Sequence, residues 1–420
     1  MIRTLKDKIR KKLISSSDSL FTKDVVNKDD LRYRINQALD EILHAEQQSV
    51  SSDEREHLIS ELINEFIGFG PLESLLHDPE ITEIMINGPK KVYVERHGKK
   101  ELSAITFDDE QQLRYLIYKI LAPTRRRVDE TYPYVDVSLK DGSRVNIIIP
   151  PLSLDGSSIT IRKFLKEIHS VEDLVDRGTL DRRMADFLVA CIKAKVNILF
   201  SGATGSGKTT TLGVLSGYIN NDERIVTIED TAELHLNQEH VVRLETRPPN
   251  IEGKGEVTIR DLFKNSLRMR PGRIILGEVR GAEALDMLQA MCSGHAGSLA
   301  VLHANSPQEV IYRLETMILT TGLPITLEAI HRQIAAAVHL IVQQAQVVDG
   351  SRKITHLTQV CGLQNGQVAI EDLFTYEFDS SLVSQKKVEG RWKASGAVPV
   401  FYPLFQKMGI ALSQDIFKKD

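Results

Sequence analysis

The stretch Val196–Thr209, "VNILFSGATGSGKT", constrains this chain more than any other. A short apolar run leads into a glycine-rich turn ending in lysine and threonine, a spacing that requires a strand before it and a helix after it. Glycines let successive backbone N–H groups converge on one anion, the helix adds its N-terminal dipole, and the lysine adds a point charge. Gly202, Ala203, Thr204, Gly205, Ser206, Gly207, Lys208, Thr209 and Thr210 are therefore expected to cradle nucleotide phosphates. Lys208 would serve the β- and γ-phosphates and the Thr209 hydroxyl would ligate Mg2+. ATP and Mg2+ are the expected ligands.

That turn sits in a longer pattern. From about residue 181, buried strands ("VNILF", "RIVTIED", "RIILGEV", "SLAVLHA") alternate with helical segments, which predicts an α/β fold with a parallel sheet and sites at the carboxyl ends of its strands. Residues 69–164 read as a smaller α/β domain. Its strands "ITEIMING" and "KVYVERHG" flank Asn87-Gly88-Pro89, and two more surround Asp141-Gly142. Residues 1–68 read as a helical N-terminal region, 165–180 as a linker, and 181–420 as the P-loop domain with a C-terminal tail.

A net charge of -4 argues against a chain whose main business is coating nucleic acid. Cys191, Cys292 and Cys361 lie far apart without a CxxC or CxxH spacing, so neither a disulfide framework nor zinc is expected, and a reducing cytosol fits. No run approaches the roughly 18 apolar residues of a membrane span. In the opening "MIRTLKDKIRKKLI", Ile2, Leu5, Ile9 and Leu13 share one helical face among basic residues. The segment is read as a solvated, mobile arm, with docking to a membrane surface or partner as the alternative.

Acidic residues end two of the strands. "VTIEDTAEL" places Glu229, Asp230 and Glu233 at one strand mouth, and "RIILGEVRG" ends in Glu278. Because Gly277 stands where an aspartate is usual, Glu278 is assigned to polarising water or to a water-mediated Mg2+ contact. "SGHAGSLAVLHANSP" carries His295 and His303 near the two ends of a strand, where they could sense the γ-phosphate. Arg268, Arg270 and Arg280 are candidates either for phosphate or for pairing with these carboxylates.

Taken in order, "GATGSGKT", "VTIEDTAEL", "LETRPPNIEGKGEVTIRDL", "LRMRPGRIILGEVRG" and "GHAGSLAVLHANSP" resemble the type II/IV secretion-system ATPase superfamily, especially its tight-adherence (Tad) pilus branch. The resemblance covers roughly residues 60–420. It implies a RecA-like P-loop domain in a homo-hexameric ring that hydrolyses ATP, cytoplasmic and held to the inner membrane by pilus or secretion platform proteins. Glu229, Asp230 and Glu233 then form the Asp box, Glu278 an atypical Walker B, and His295 and His303 the His box. Arginines of the N-terminal domain reach the phosphates in such rings, which selects Arg144 in "DGSRVN" and Arg162 in "TIRKF". The chain lacks the cysteine-rich insertion of the assembly ATPases of type II secretion and type IVa pili. Ala296 also replaces an often acidic neighbour of the first histidine. The alternatives are a type IV secretion ATPase exporting protein or DNA, a RecA-like nucleic-acid translocase, and a nucleotide-gated assembly scaffold.

Overall fold

Two apolar stripes, each repeating every three or four residues, fold back on one another at the start of the chain. They are helices α1 (Lys28–Glu46) and α2 (Ser52–Ile67), which bury Leu31, Ile35 and Leu39 against Leu58, Ile59 and Leu62. The computed structural model describes residues 5–6, 8–9, 12–13, 28–96, 98–124, 126–139, 141–163, 168–249, 253–378 and 390–420. These form two compact units, Met1–Phe164 and Leu165–Asp420.

The basic N-terminal stretch departs from the expected solvated arm. Leu5, Ile9 and Leu13 are buried in the α1–α2 core, and Lys6, Lys8 and Lys12 pair with Glu61, Glu46 and Glu41. Burying each Leu or Ile side chain contributes about 1.5–3 kcal/mol. Exposed ion pairs contribute about 1 kcal/mol or less, so the apolar stripe rather than the charges holds the segment. Ile2 of that stripe lies outside the described residues.

The rest of the first unit is a six-stranded antiparallel sheet. In chain order its elements are α3 (Glu73–His77), β1 (Ile81–Asn87), β2 (Val92–Arg96), β3 (Lys99–Leu102), α4 (Glu110–Leu121), β4 (Tyr134–Ser138), β5 (Arg144–Ile148) and β6 (Ser158–Arg162), with strand order β3-β2-β1-β6-β5-β4. Alternate residues such as Ile84, Ile86, Val145, Ile147, Ile159 and Ile161 face inward, where Leu113, Leu116 and Ile120 of α4 cover them. Asp109 starts α4 by accepting the Gln112 N–H at 2.9 Å. The opposite face mixes polar residues such as Thr160, Asn146 and Asp136 with Met85, Tyr93 and Ile148.

The second unit begins with α5 (Val171–Asp176) and α6 (Arg182–Lys193). Val171, Leu174 and Leu180, within the span expected as a linker, are buried in this unit's core. Next come β7 (Ile198–Ser201), α7 (Lys208–Ser216), β8 (Ile225–Glu229), β9 (Val241–Glu245), α8 (Ile259–Ser266), β10 (Arg273–Val279), α9 (Glu283–Cys292), β11 (Leu299–Leu302), α10 (Pro307–Leu319) and α11 (Leu327–Ala337). The chain finishes with β12 (Leu340–Gln346), β13 (Arg352–Gln364), β14 (Gln367–Phe378), β15 (Gly390–Ala394) and α12 (Pro403–Lys407).

These strands form one nine-stranded sheet, β15-β14-β13-β12-β7-β11-β10-β8-β9, parallel from β12 to β9 and antiparallel from β12 to β15. Its central strands are apolar on both faces. Ile198 and Phe200 face the cluster of α5–α7, whereas Leu199 faces that of α8–α11. The C-terminal tail joins the first cluster, where Phe417 meets Phe187 edge-on at 5.2 Å. The strand order sets the carboxyl ends of β7, β11, β10 and β8 side by side, about 4.8 Å apart.

Candidate nucleotide-binding site

The loop leaving β7 has the backbone its glycines predict. Gly202 and Gly207 adopt φ of 152° and 95°, and Gly207 caps α7 in the left-handed region. A Cβ at Gly202 would lie 2.0 Å from the Gln344 carbonyl oxygen, so no larger residue fits. The Ala203 carbonyl gathers the loop from inside, accepting Ser206 N–H at 3.3 Å, Ser206 Oγ at 2.8 Å and Lys208 Nζ at 2.7 Å. Lys208 is only 5% exposed, which leaves an ammonium charge buried at the mouth of the sheet. Thr209 and Thr210 follow on the first turn of α7, half-buried and exposed.

Neighbouring strand ends continue from that ammonium. Lys208 Nζ lies 3.4 Å from His303 Nδ1, and His303 Nε2 lies 3.1 Å from Glu278 Oε1. An ammonium can only donate, so Nδ1 accepts and Nε2–H donates to the carboxylate, which fixes a neutral ring. Desolvation first, and then the Lys208 charge, hold His303 below the usual histidine range. Glu278 Oε2 accepts Arg280 Nη2 at 2.5 Å, and Arg280 Nη1 lies 3.2 Å from Asp230 Oδ2. Arg280 thus pairs with the carboxylates.

Glu229, at the end of β8, is 2% exposed. Its Oε1 accepts the N–H groups of Glu233 at 2.9 Å and Leu234 at 3.0 Å, while Oε2 has no partner among the described residues. Burial pushes its carboxyl up to about 7. A Cβ at Gly277 would sit 2.7 Å from Glu229 Cγ. The missing aspartate before Glu278 is thereby explained: the space is filled by a carboxylate from the adjacent strand. Glu233 contributes its backbone here, and its side chain is half-buried.

Not every expected residue joins this row. His295 precedes β11, and the strand's four residues carry His303 to the opposite edge, about 13 Å along at 3.3 Å per residue. His295 Nδ1 is buried without a partner among the described residues, at the end where fully buried Arg273 holds Glu223 at 2.9 Å and Gly297 O at 3.1 Å. Arg144 and Arg162 belong to the first unit, directly opposite one another on β5 and β6, with Arg162 also opposite Glu83 of β1.

Residues outside the sequence motifs wall the loop. Gln344 Oε1 accepts Thr211 Oγ1 at 2.9 Å, and Arg352 Nε donates to Gly205 O at 3.0 Å. The polar "QQAQ" on an otherwise apolar strand, closed by an Asp349-Gly350 turn, is the only signal the sequence carries for them.

The residues present fit ATP with Mg2+. A cradle that admits no Cβ surrounds a buried ammonium at a helix N-terminus, and at the end of β8 in the same sheet a buried glutamate oxygen lacks a partner among the described residues. Among the described residues no group of three or more His, Cys, Asp or Glu side chains is arranged to hold a metal; Thr209 and Glu278, with phosphate and water, would hold the ion.

Fold and site together define a P-loop nucleotide-binding protein on a mostly parallel sheet. Residues 65–392 match the family model described as type II/IV secretion system protein, and the chain belongs to that family. A Mycobacterium tuberculosis protein named for conjugal transfer is 36% identical over 302 residues, spanning 70% of this chain and 85% of that one. The type IV secretion system protein VirB11 of Brucella suis is 31% identical over 318 residues, spanning 69% and 88%. The crystal structure of the Brucella suis VirB11 ATPase with sulphate aligns over 68% of this chain and 94% of that one with a TM-score of 0.38. That of the pilus retraction motor PilT with ADP aligns over 71% and 80% at 19% identity with a TM-score of 0.48. Among the described residues, no helix is long and apolar enough to cross a membrane.

Proposed function

We propose that the chain is an ATP-hydrolysing motor of the Tad pilus branch. The observation that supports hydrolysis is the row of Lys208, His303, Glu278, Arg280 and Asp230, with Glu229 on the same sheet edge, across the ends of adjacent parallel strands; the Tad branch rests on the motif resemblance. Bound Mg2+ supplies charge neutralisation on the phosphates. The loop N–H groups and Lys208 hold those phosphates. Glu278 has both oxygens engaged and orients; Glu229 Oε2, without a partner among the described residues, accepts a proton from water. His303 links Lys208 to Glu278, so departure of the phosphate's negative charge from beside Lys208 is felt at Glu278.

The working form is a homo-hexamer in which the first unit moves against the second, Arg144 and Arg162 act on the phosphates, and an inner-membrane platform receives the motion. His295, remote from His303 within one chain, is assigned to signalling rather than to chemistry. The names of the relatives favour a second reading, export of protein or DNA by a type IV secretion system. Steady-state phosphate release by wild type and Glu278→Gln tests the motor against a nucleotide-gated scaffold. A motor loses function in step with turnover, whereas a scaffold keeps assembling its complex without it. Co-purification of a polytopic platform with prepilin supports the pilus branch, and recovery of export-channel components instead supports the second reading.

A further inference from the structure

The β12–β13 hairpin backs the P-loop with three side chains on one face. Gln346 and Arg352 are register partners. Gln344 lies two residues before Gln346 and so points the same way. A Cβ on Gly207 would meet Gln344 Nε2 at 2.9 Å and Arg352 Cδ at 3.0 Å, and one on Gly205 would meet Gln346 Oε1 at 3.7 Å. Of these three side chains Arg352 alone is charged, and its Nε donates to Gly205 O at 3.0 Å.

The strand that presents Arg352 is itself tied down. Lys353 points to the other face, donates to Gly178 O at 2.5 Å, and lies 5.9 and 5.7 Å from the ring centres of Tyr376 and Trp392. Ile354 N–H donates to Thr179 O at 2.8 Å. Arg352 therefore reaches the loop from a fixed backbone.

We infer that Arg352 is a positioning residue of the nucleotide site, one that holds the Gly205–Ser206 peptide with its carbonyl on the hairpin side and sets a permanent positive charge behind the phosphate cradle. This rests on the nucleotide-binding reading of the loop. Gly205, with φ of 78° and no Cβ, restrains that peptide least. A carbonyl turned into the cradle would oppose a phosphate, and the guanidinium N–H holds it outward. Unlike an imidazole, the guanidinium keeps its charge at any working pH.

The test uses the full chain with Arg352→Ala and Arg352→Lys, measuring phosphate release, ADP affinity by calorimetry, and the thermal midpoint without nucleotide. Arg352→Ala is expected to raise the KM for ATP and the Kd for ADP about tenfold while lowering kcat no more than about threefold. Its midpoint should stay within about 2 °C of wild type. Arg352→Lys, which keeps a donor and a charge, should recover the Kd to within about threefold. An alanine variant whose KM and Kd stay within about twofold, a loss carried by kcat alone, or a lowered midpoint that lysine does not rescue overturns the inference. Lys208→Ala separates the two levels. If it binds ADP like wild type, the nucleotide reading of the loop fails; if it loses binding while Arg352→Ala does not, only the role of Arg352 fails.

Discussion

Glu229 lies over Gly277: a Cβ added to the glycine would come within 2.7 Å of the glutamate's Cγ, although the two residues belong to different strands. Gly277→Ala must therefore push Glu229 out of place. Overpacking of this kind costs about 1–3 kcal/mol, which lowers the thermal midpoint by several degrees. The same variant should lose at least about tenfold in kcat, since a misplacement of about 1 Å at a reacting group costs that much or more. Melting curves and phosphate release on one preparation check both effects.

The Glu229 carboxyl, raised to about 7, makes stability depend on pH in a definite direction. Its unfolded value is near 4.5, so between about 4.5 and 7 the folded chain holds a proton that the unfolded chain has released. Stability is then lost as pH rises through that window, by on the order of 3 kcal/mol. Glu229→Gln cannot ionise. It should flatten the midpoint against pH, melt above wild type at pH 8, and lose ATP turnover. An unchanged pH profile would contradict the burial argument.

His303 titrates in the opposite sense. Its depressed value means that the folded chain resists a proton the unfolded chain accepts, so stability and the Lys208–His303–Glu278 alignment are lost as pH falls from 6.5 through the lower folded value. The acid limb of kcat/KM against pH should move in His303→Gln, with nucleotide affinity within about threefold of wild type.

The N-terminal segment offers a test of packing against charge. Ile9→Ala removes a side chain buried in the helical core and should cost about 2–4 kcal/mol, opening the α1–α2 bundle to limited proteolysis. Lys8→Ala removes an exposed partner of Glu46 and should change stability by less than about 1 kcal/mol.

How much of this was legible depended on whether a signal was local. Gly202 to Thr209 announce themselves because strand, turn and helix are contiguous, and Glu229, Glu278 and His303 follow because parallel strands deliver their ends to one edge. The stacking of Glu229 on Gly277 was not legible, since β8 and β10 become neighbours only through strand order. Arg352 lies 147 residues from its carbonyl partner, beyond any spacing rule. Leu5, Ile9 and Leu13 looked like an exposed stripe because the stripes of α1 and α2 that cover them are also amphipathic. Neither shows alone which face it will meet.

Turnover of ATP at this site is the activity proposed for the chain. Steady-state phosphate release by the purified full chain, with Lys208→Ala prepared identically, tests it most directly. Removing the buried ammonium should abolish turnover, by at least about a hundredfold, because Lys208 is the cation held within the loop itself, whereas Arg352 stands behind it. Equal rates in the two proteins, with contaminating activity excluded, would place hydrolysis elsewhere and contradict the account.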